Sequence, residues 1–356
     1  MILVFFVSIL LFLILFLLLA TLLVVIVDRS IRSRGYQGPL SDHFDGTIFL
    51  NIKDAPVQSR SPRLSSILRW MLSRQKNVWE QRSVAQTKPG ERVLGKELVV
   101  TFINHATVLI QTEGVNIITD PVYSERASPF SFAGPRRFIN PGVSFEDLPK
   151  IDTILISHNH YDHLDLATLS KLAKRDQPRI IAPLGNKPFL ELRGIPNVSE
   201  LDWWESNTVS EDISIECVPA QHFSSRALTD RNKTLWSGYV IKTSHGDVYF
   251  AGDTGTGPFI DQIAKRFPSG FRLGLLPIGA FRPEWFMKEV HISPDEAYAI
   301  QSQLKVQDAV GIHFGTFKLA DDAQDEPVER IAKLIKESSI PNRFHILPNG
   351  VSLTLH

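Results

Sequence analysis

Between residues 157 and 165 the chain reads Ser157-His158-Asn159-His160-Tyr161-Asp162-His163-Leu164-Asp165, directly after the apolar run Ile151-Asp152-Thr153-Ile154-Leu155-Ile156. Read as strand, loop and helix, this stretch throws three imidazoles and a carboxylate into one small volume at a strand's carboxyl end. Four metal-ligand side chains within six positions are hard to explain as packing or as solvated surface, because buried His and Asp are uncommon unless something pairs them. The fold must therefore be one in which a loop after a strand carries a metal site, and in which other loops can reach it.

The rest of the body fits that demand. From Leu98 onward short apolar runs alternate with turns and modest helices, and nothing repeats at a fixed period. The pattern predicts strands at Leu98 to Gln111, Val115 to Thr119, Ile151 to Ile156, Arg179 to Ala182, Ile213 to Val218, Trp236 to Thr243, Val248 to Ala251, Leu273 to Pro277, Ala309 to Ile312, His345 to Leu347 and Val351 to Leu355. It predicts helices at Asp165 to Lys174, Pro258 to Phe267, Pro294 to Leu304 and Pro327 to Glu337. Strand runs punctuated by single helices imply sheets packed together with helices outside, an α/β domain over residues 97–356 without an internal break.

Three further residues fall where strands should end. His222 follows Ile213 to Pro219, Asp253 follows Val248-Tyr249-Phe250-Ala251-Gly252, and His313 follows Ala309-Val310-Gly311-Ile312. With the opening motif they make a set of His158, His160, Asp162, His163, His222, Asp253 and His313. Seven ligands exceed what one tetrahedral ion takes and suit two ions sharing a bridging group. The motif divides accordingly, His158 and His160 pointing to one metal, Asp162 and His163 to the other. Imidazole with carboxylate and no thiolate suits zinc, with iron or manganese as harder alternatives. Cys217, the only cysteine, lies in an apolar run and excludes an internal disulfide. The glycine-rich Gly252 to Gly257 lacks the Lys-Ser/Thr ending of a nucleotide-binding loop.

The front of the chain is of another kind. Residues 2 to 27 carry no charge. At ~1.5 Å per helical residue they exceed a ~30 Å hydrocarbon core and are too long for a signal peptide, so residues 1–27 are expected to be a retained transmembrane helix. Arg29, Arg32 and Arg34 follow it and nothing basic precedes it, which by the positive-inside rule places the following domain on the cytoplasmic side of a single-pass protein. Residues 35 to 60 are rich in turn formers (Gly35, Gly38, Pro39, Gly46, Pro56) and read as a linker or an arm laid on the domain. Ser61-Pro62 then opens a helix with Leu64, Ile67, Leu68, Met71 and Leu72 on one face and Arg63, Arg69, Arg74 and Lys76 around the other. It packs on the domain or lies at an anionic lipid surface. Lys+Arg and Asp+Glu both number 38, but residues 28–96 hold 13 basic against 6 acidic and the remainder 25 against 32. An acidic body excludes nucleic acid as the partner.

The HxHxDH motif, the later His222, Gly252-Asp253-Thr254 after a strand and the strand-end His313 resemble the metallo-β-lactamase fold hydrolases over most of residues 98 to 356. That resemblance implies a four-layer αββα sandwich of two mixed sheets with a two-zinc site at one edge. It assigns His158, His160 and His222 to one ion, Asp162, His163 and His313 to the other, and Asp253 to both. A narrower set, Asn104-His105-Ala106-Thr107-Val108-Leu109, Thr119-Asp120-Pro121, Arg126-Ala127-Ser128-Pro129, Gly134-Pro135, Leu201-Asp202-Trp203-Trp204-Glu205, Trp285-Phe286-Met287 before His291, and Leu68-Arg69-Trp70, is similar to the N-acylphosphatidylethanolamine-hydrolysing phospholipase D branch. The hydrophobic N-terminus departs from the animal members of that branch.

This second resemblance implies a phospholipid substrate met at a membrane surface, hydrolysis to phosphatidic acid and an N-acylethanolamine, and a homodimer. Catalytic roles fall to Asp162 and Asp253, which hold the metals and orient the nucleophile, and to His291, which hydrogen-bonds the phosphate or protonates the leaving alkoxide. His105 falls inside a predicted strand close to the metals, and Asp120 would orient a ligand histidine. Trp203, Trp204, Trp285, Phe286 and Met287 would be core or pocket wall. The rival readings are a metal-dependent lactonase or phosphodiesterase acting on soluble substrates, since this fold serves many reactions, and a membrane-tethered scaffold with structural metals.

Overall fold

The computed structural model describes residues 2–52, 64–75, 77–338 and 343–356. Ser61-Pro62, the expected opening of the second helix, lies outside them, as do Pro56, Arg63 and Lys76 of the same region. Among the described residues the chain begins with α1 (Ile2–Ile31) and α2 (Leu64–Ser73). There follow β1 (Leu98–Asn104), β2 (Thr107–Thr112), β3 (Val115–Thr119), β4 (Thr153–Leu155), α3 (Leu166–Asp176), β5 (Arg179–Pro183), α4 (Lys187–Glu191) and β6 (Val198–Leu201). The second half holds β7 (Ser206–Thr208), β8 (Ser214–Val218), β9 (Gly238–Lys242), β10 (Val248–Phe250), α5 (Phe259–Arg266), β11 (Phe271–Pro277), α6 (Glu284–Met287), α7 (Pro294–Gln303), β12 (Val306–Ile312), α8 (Glu326–Glu337), β13 (Phe344–His345) and β14 (Ser352–Leu355).

Two seven-stranded sheets result, ordered β14-β1-β2-β3-β4-β5-β6 and β13-β12-β11-β10-β9-β8-β7. Each is mixed. In the first, β14 to β3 are antiparallel neighbours and β3 to β6 parallel; in the second, β13 to β10 are parallel and β10 to β7 antiparallel. The strands read as nearly unbroken apolar runs because both faces of each sheet are covered. In β2, Val108 and Ile110 enter the core between the sheets while Leu109 faces out towards α3; in β10, Val248 and Phe250 point inward and Tyr249 outward towards α5 and α7. Helices on both outer faces complete the expected four αββα layers. The inner core is fully buried around Leu155, Tyr239 and Leu275, so truncating Leu155 to Ala would cost about 2–5 kcal/mol.

Three expectations need correction. The single strand expected from Leu98 to Gln111 is a hairpin, β1 and β2, with a bulge between Phe102 and Asn104. His105, expected inside a strand, is the turn residue, at φ +48°. Positive φ without glycine leaves no mark in the sequence. The short elements β6, β7, α4 and α6 were not expected; β7 is a three-residue edge strand with no buried residue, so it carries no apolar period.

The turn-rich stretch after α1 is laid on the domain as an arm. Phe44 and Phe49 are 2% and 0% exposed and pack with Tyr36 against the inter-sheet core. His43 stacks on Trp203 with centroids 4.3 Å apart and bonds Asp202 through Nε2 at 2.7 Å. Trp203 is core, its indole N–H donating to the Trp236 carbonyl at 2.8 Å. Trp70 of α2 stacks on Phe286 of α6 at 5.0 Å and donates to Asp321 at 2.9 Å, while Leu68, Met71 and Leu72 remain exposed.

Candidate metal centre

Strands β1, β3, β4, β8, β10 and β12 all run in the same sense within their sheets, and the residues beyond their carboxyl ends converge at one edge of the sandwich. The loop after β4 supplies His158, His160, Asp162 and His163. Its far end is fixed by Asp165, which caps α3 by accepting from the Ala167 amide and also receives the Thr168 hydroxyl. The segment after β8 supplies His222, that after β10 supplies Asp253, and β12 leads into His313. Gly252 stands at φ +61°, where a Cβ would sit 2.7 Å from Ser157 Cβ, so only glycine lets the Asp253 loop close on the β4 loop.

The side chains form two groups joined by one carboxylate. In the first, His160 Nδ1 lies 2.8 Å from His158 Nε2 and 3.3 Å from His222 Nε2. In the second, Asp162 Oδ2 lies 2.9 Å from His105 Nε2, 3.3 Å from His163 Nε2 and 3.4 Å from His313 Nε2. Asp253 Oδ2 stands between them, 3.0 Å from His313 Nε2, 3.2 Å from His163 Nε2, 3.9 Å from His222 Nε2 and 3.8 Å from His291 Nδ1. All seven expected ligands and His291 are thus brought together.

A layer behind these groups fixes which ring nitrogen faces inward. Asp120, at the end of β3, accepts from the Ser157 amide at 2.7 Å and hydroxyl at 2.5 Å, and bonds His163 Nδ1 at 2.7 Å. His163 therefore presents Nε2. His222 Nδ1 donates to the Val290 carbonyl at 2.8 Å, and Ser157 Oγ lies 2.9 Å from His158 Nδ1. Two contributors were missed by sequence reasoning. Asn51, in the arm, brackets the His222 backbone, accepting its N–H and donating to its carbonyl, each at 3.2 Å. Arg226 is buried, forms no direct ion pair among the described residues, and donates to the Asn159 and Leu164 carbonyls at 2.8 and 2.9 Å, clamping the β4 loop. Neither carries a motif, and Asn51 meets His222 only through the fold.

Burial shapes the electrostatics first. It pushes His158 and His222 well below the ordinary imidazole value, His160 to about 3 and His291 to about 4. At His163 and His313 burial pulls the same way but the carboxylates of Asp253 and Asp162 outweigh it, lifting His163 far up and His313 to about 9. Asp162 and Asp253 are held well below the carboxylate range; burial opposes this, and His163 with its neighbouring imidazoles overcomes it. The centre is therefore a neutral three-imidazole half beside a half with ionised carboxylates.

These residues fit a metal. Among the described residues, His163 Nε2, His313 Nε2, Asp253 Oδ1 and His291 Nδ1 are buried without an aligned hydrogen bond, although the carboxylates of Asp162 and Asp253 stand 3.0–3.4 Å from the first two, a crowding of donor atoms that protein interiors otherwise avoid. They and the three facing imidazole nitrogens form a thiol-free N/O donor set that a divalent cation would satisfy.

Residues 115–314 match the family described as the Beta-lactamase superfamily domain. The chain is 36% identical over 313 residues to the N-acyl-phosphatidylethanolamine-hydrolyzing phospholipase D 1 of Caenorhabditis elegans, covering 82% of this chain and 87% of that one. It is 38% identical over 238 residues to the mitochondrial N-acyl-phosphatidylethanolamine-hydrolyzing phospholipase D of Saccharomyces cerevisiae, spanning 65% of this chain and 50% of that protein. Among solved structures, a metallo hydrolase from the archaeon Ignicoccus hospitalis shares the fold with a TM-score of 0.55 at 19% identity, over 73% of this chain and 99% of that one. By these likenesses the chain is a hydrolase, a member of the metallo-β-lactamase superfamily within its N-acylphosphatidylethanolamine-hydrolysing phospholipase D family.

Proposed function

We propose that the protein is a membrane-anchored, dinuclear zinc phosphodiesterase that hydrolyses N-acylphosphatidylethanolamine to phosphatidic acid and an N-acylethanolamine. The observation that carries the substrate is the likeness to the worm enzyme over 82% of the chain, well beyond the metal motif. His158, His160 and His222 would hold one ion, Asp162, His163 and His313 the other, with Asp253 shared; its position between the two groups supports this division. Bound there, a metal pair would lower the pKa of a bound water towards ~7 and would supply charge to offset the phosphate.

The reaction balances as an exchange at phosphorus: a bond forms to water oxygen, the bond to the ethanolamine oxygen breaks, and water's proton leaves with the alcohol. Asp253 and Asp162, ionised, orient the nucleophile's side of the site. His291, held neutral by burial, has Nδ1 turned to Asp253, which suits a hydrogen bond to the phosphate better than proton delivery. Asp120, Ser157, Asn51 and Arg226 keep the ligand loops in register. The apolar α1, from Phe5 to Ile31 long enough to cross a bilayer, supports a single-pass anchor, and Arg29, Arg32 and Arg34 support a cytoplasmic catalytic domain.

Product analysis on a defined N-acylphosphatidylethanolamine tests the reading. Phosphatidic acid and N-acylethanolamine should appear in equal amounts, with oxygen-18 from labelled water in the phosphatidic acid. Activity should vanish on chelation and return with zinc. Turnover of lactones or soluble phosphodiesters with the lipid untouched would overturn it, and so would full activity after chelation.

A further inference from the structure

Where α1 meets the domain, four arginines converge. Arg29 stands in the last turn of α1, Arg32 and Arg34 follow directly after it, and Arg193, two residues beyond α4, reaches them from the domain; together with Phe189 and Leu192 they line a cleft of about 420 Å³. The cleft is built. Asp28 accepts from the Leu228 and Thr229 amides at 2.8 and 3.2 Å and from the Thr229 hydroxyl at 2.5 Å. Ser33 N donates to Asp230 at 2.8 Å, and Arg193 donates to the Ser30 and Phe189 carbonyls at 2.8 and 3.0 Å while its guanidinium lies 3.7 Å over the Phe189 ring.

The charge there is unbalanced. Among the described residues none of the four guanidinium groups is in an ion pair, and Glu191, beside them in α4, faces Lys187 at 3.8 Å. Leu192, 67% exposed, adds an apolar edge. Arginines next to a membrane-spanning helix would be expected from topology alone. Arg193 would not, since it comes from a distant part of the chain and completes the cleft. Guanidinium forks match phosphate oxygens, and a basic pocket at headgroup depth with an apolar rim matches a phospholipid.

We propose that this cleft binds the phosphate of an anionic phospholipid, at a site that shares no residue with the metal centre. The inference rests on α1 lying in a bilayer and not on the reaction. The full-length, metal-loaded chain in an uncharged detergent is titrated calorimetrically with short-chain phosphatidylglycerol, short-chain phosphatidylcholine and inorganic phosphate. Phosphatidylglycerol, an anionic lipid that is not a product of the reaction, should bind and phosphatidylcholine should not. R193Q, which does not flank the helix, should weaken binding about 5-fold and R32Q/R193Q about 30-fold, at roughly one charge's attraction per arginine. Both should keep wild-type turnover of micellar substrate. Should the double variant lose its near-ultraviolet dichroism, R34Q, an exposed position, should still weaken binding about 5-fold.

Equal affinity in R193Q overturns the proposal, as does equal binding of phosphatidylcholine. Displacement by inorganic phosphate at matching affinity would assign the cleft to the free ion and overturn the lipid. Extraction of the chain from membranes by alkaline carbonate would remove the bilayer and the proposal with it, leaving the product analysis above unaffected.

Discussion

Replacing Asp120 by Asn changes one atom type at a fully buried position and tests how the centre is held together. The carboxylate accepts three hydrogen bonds, two from Ser157 and one shared with His163 Nδ1, at 2.5 to 2.7 Å. An amide can keep the bond from the Ser157 amide through its oxygen, but its NH₂ then faces His163 Nδ1–H, donor against donor. His163 must turn or change tautomer, and Nε2 leaves its place near Asp162 and Asp253. A charge-assisted bond is worth about 1.5–3 kcal/mol, or about 10- to 150-fold in an equilibrium constant, which brackets the usual effect of losing a ligand's outer partner. Metal per chain, measured by mass spectrometry after dialysis against a graded metal buffer, should show the weaker-binding equivalent released at about 10- to 100-fold higher free metal. The other equivalent, proposed to be held by His158, His160 and His222, should be affected far less. Turnover should fall with occupancy and recover at high metal. S157A, which leaves the Asp120–His163 bond in place, should cost less than about tenfold. Unchanged metal affinity in a folded D120N protein would refute the claim that Asp120 sets His163.

Other outcomes follow from the same geometry. D253N should lose more than about 100-fold in turnover, exceeding an outer-partner loss, and should lower occupancy at both halves of the centre; loss at one half alone would contradict a shared carboxylate. N51A should leave the His222 amide and carbonyl unpaired and destabilise the fold by about 1–3 kcal/mol, read from denaturant midpoints, with turnover reduced as His222 loosens. At His43 burial lowers the pKa, but Asp202 and Asp42 outweigh it and the net shift is upward. A raised folded-state value means that its contribution is complete below about pH 6.5 and lost as pH rises through the folded value. The melting temperature of wild type minus that of H43Q should therefore shrink towards alkaline pH, and a difference that grows would refute the assignment.

The proposed ligand residues were legible as a cluster because each stands just beyond the point where an apolar run stops. His158 to His163 follow Ile151 to Ile156, and His222, Asp253 and His313 each close a strand, so hydrophobic period and donor type coincide at the same residues. The second layer was less legible. Asp120 has the strand-end signal, but Asn51 acts through a contact 171 positions away and Arg226 through two carbonyls, neither of which any local pattern encodes. His105 shows the same limit in reverse: its neighbours Asn104 and Thr107 both suit a strand, and only the fold's need for a two-sided turn at this edge puts it at positive φ. The edge strand β7 escaped because none of its three residues is buried.

The end of α1 contains no hinge. The helix runs unbroken to Ile31, and within a few residues Asp28, Ser33 and Arg193 have fastened it to the domain. One of those fastenings, Asp230, also accepts from the Arg226 amide, and Arg226 clamps the ligand loop. With α1 in a bilayer, helix and enzyme share one tilt. A spanning helix longer than the local hydrocarbon thickness leans to fit, so a thinner bilayer would tip the whole domain and change the angle at which its catalytic edge meets the lipid. Membrane thickness would then act on this enzyme as a setting, with no ligand required.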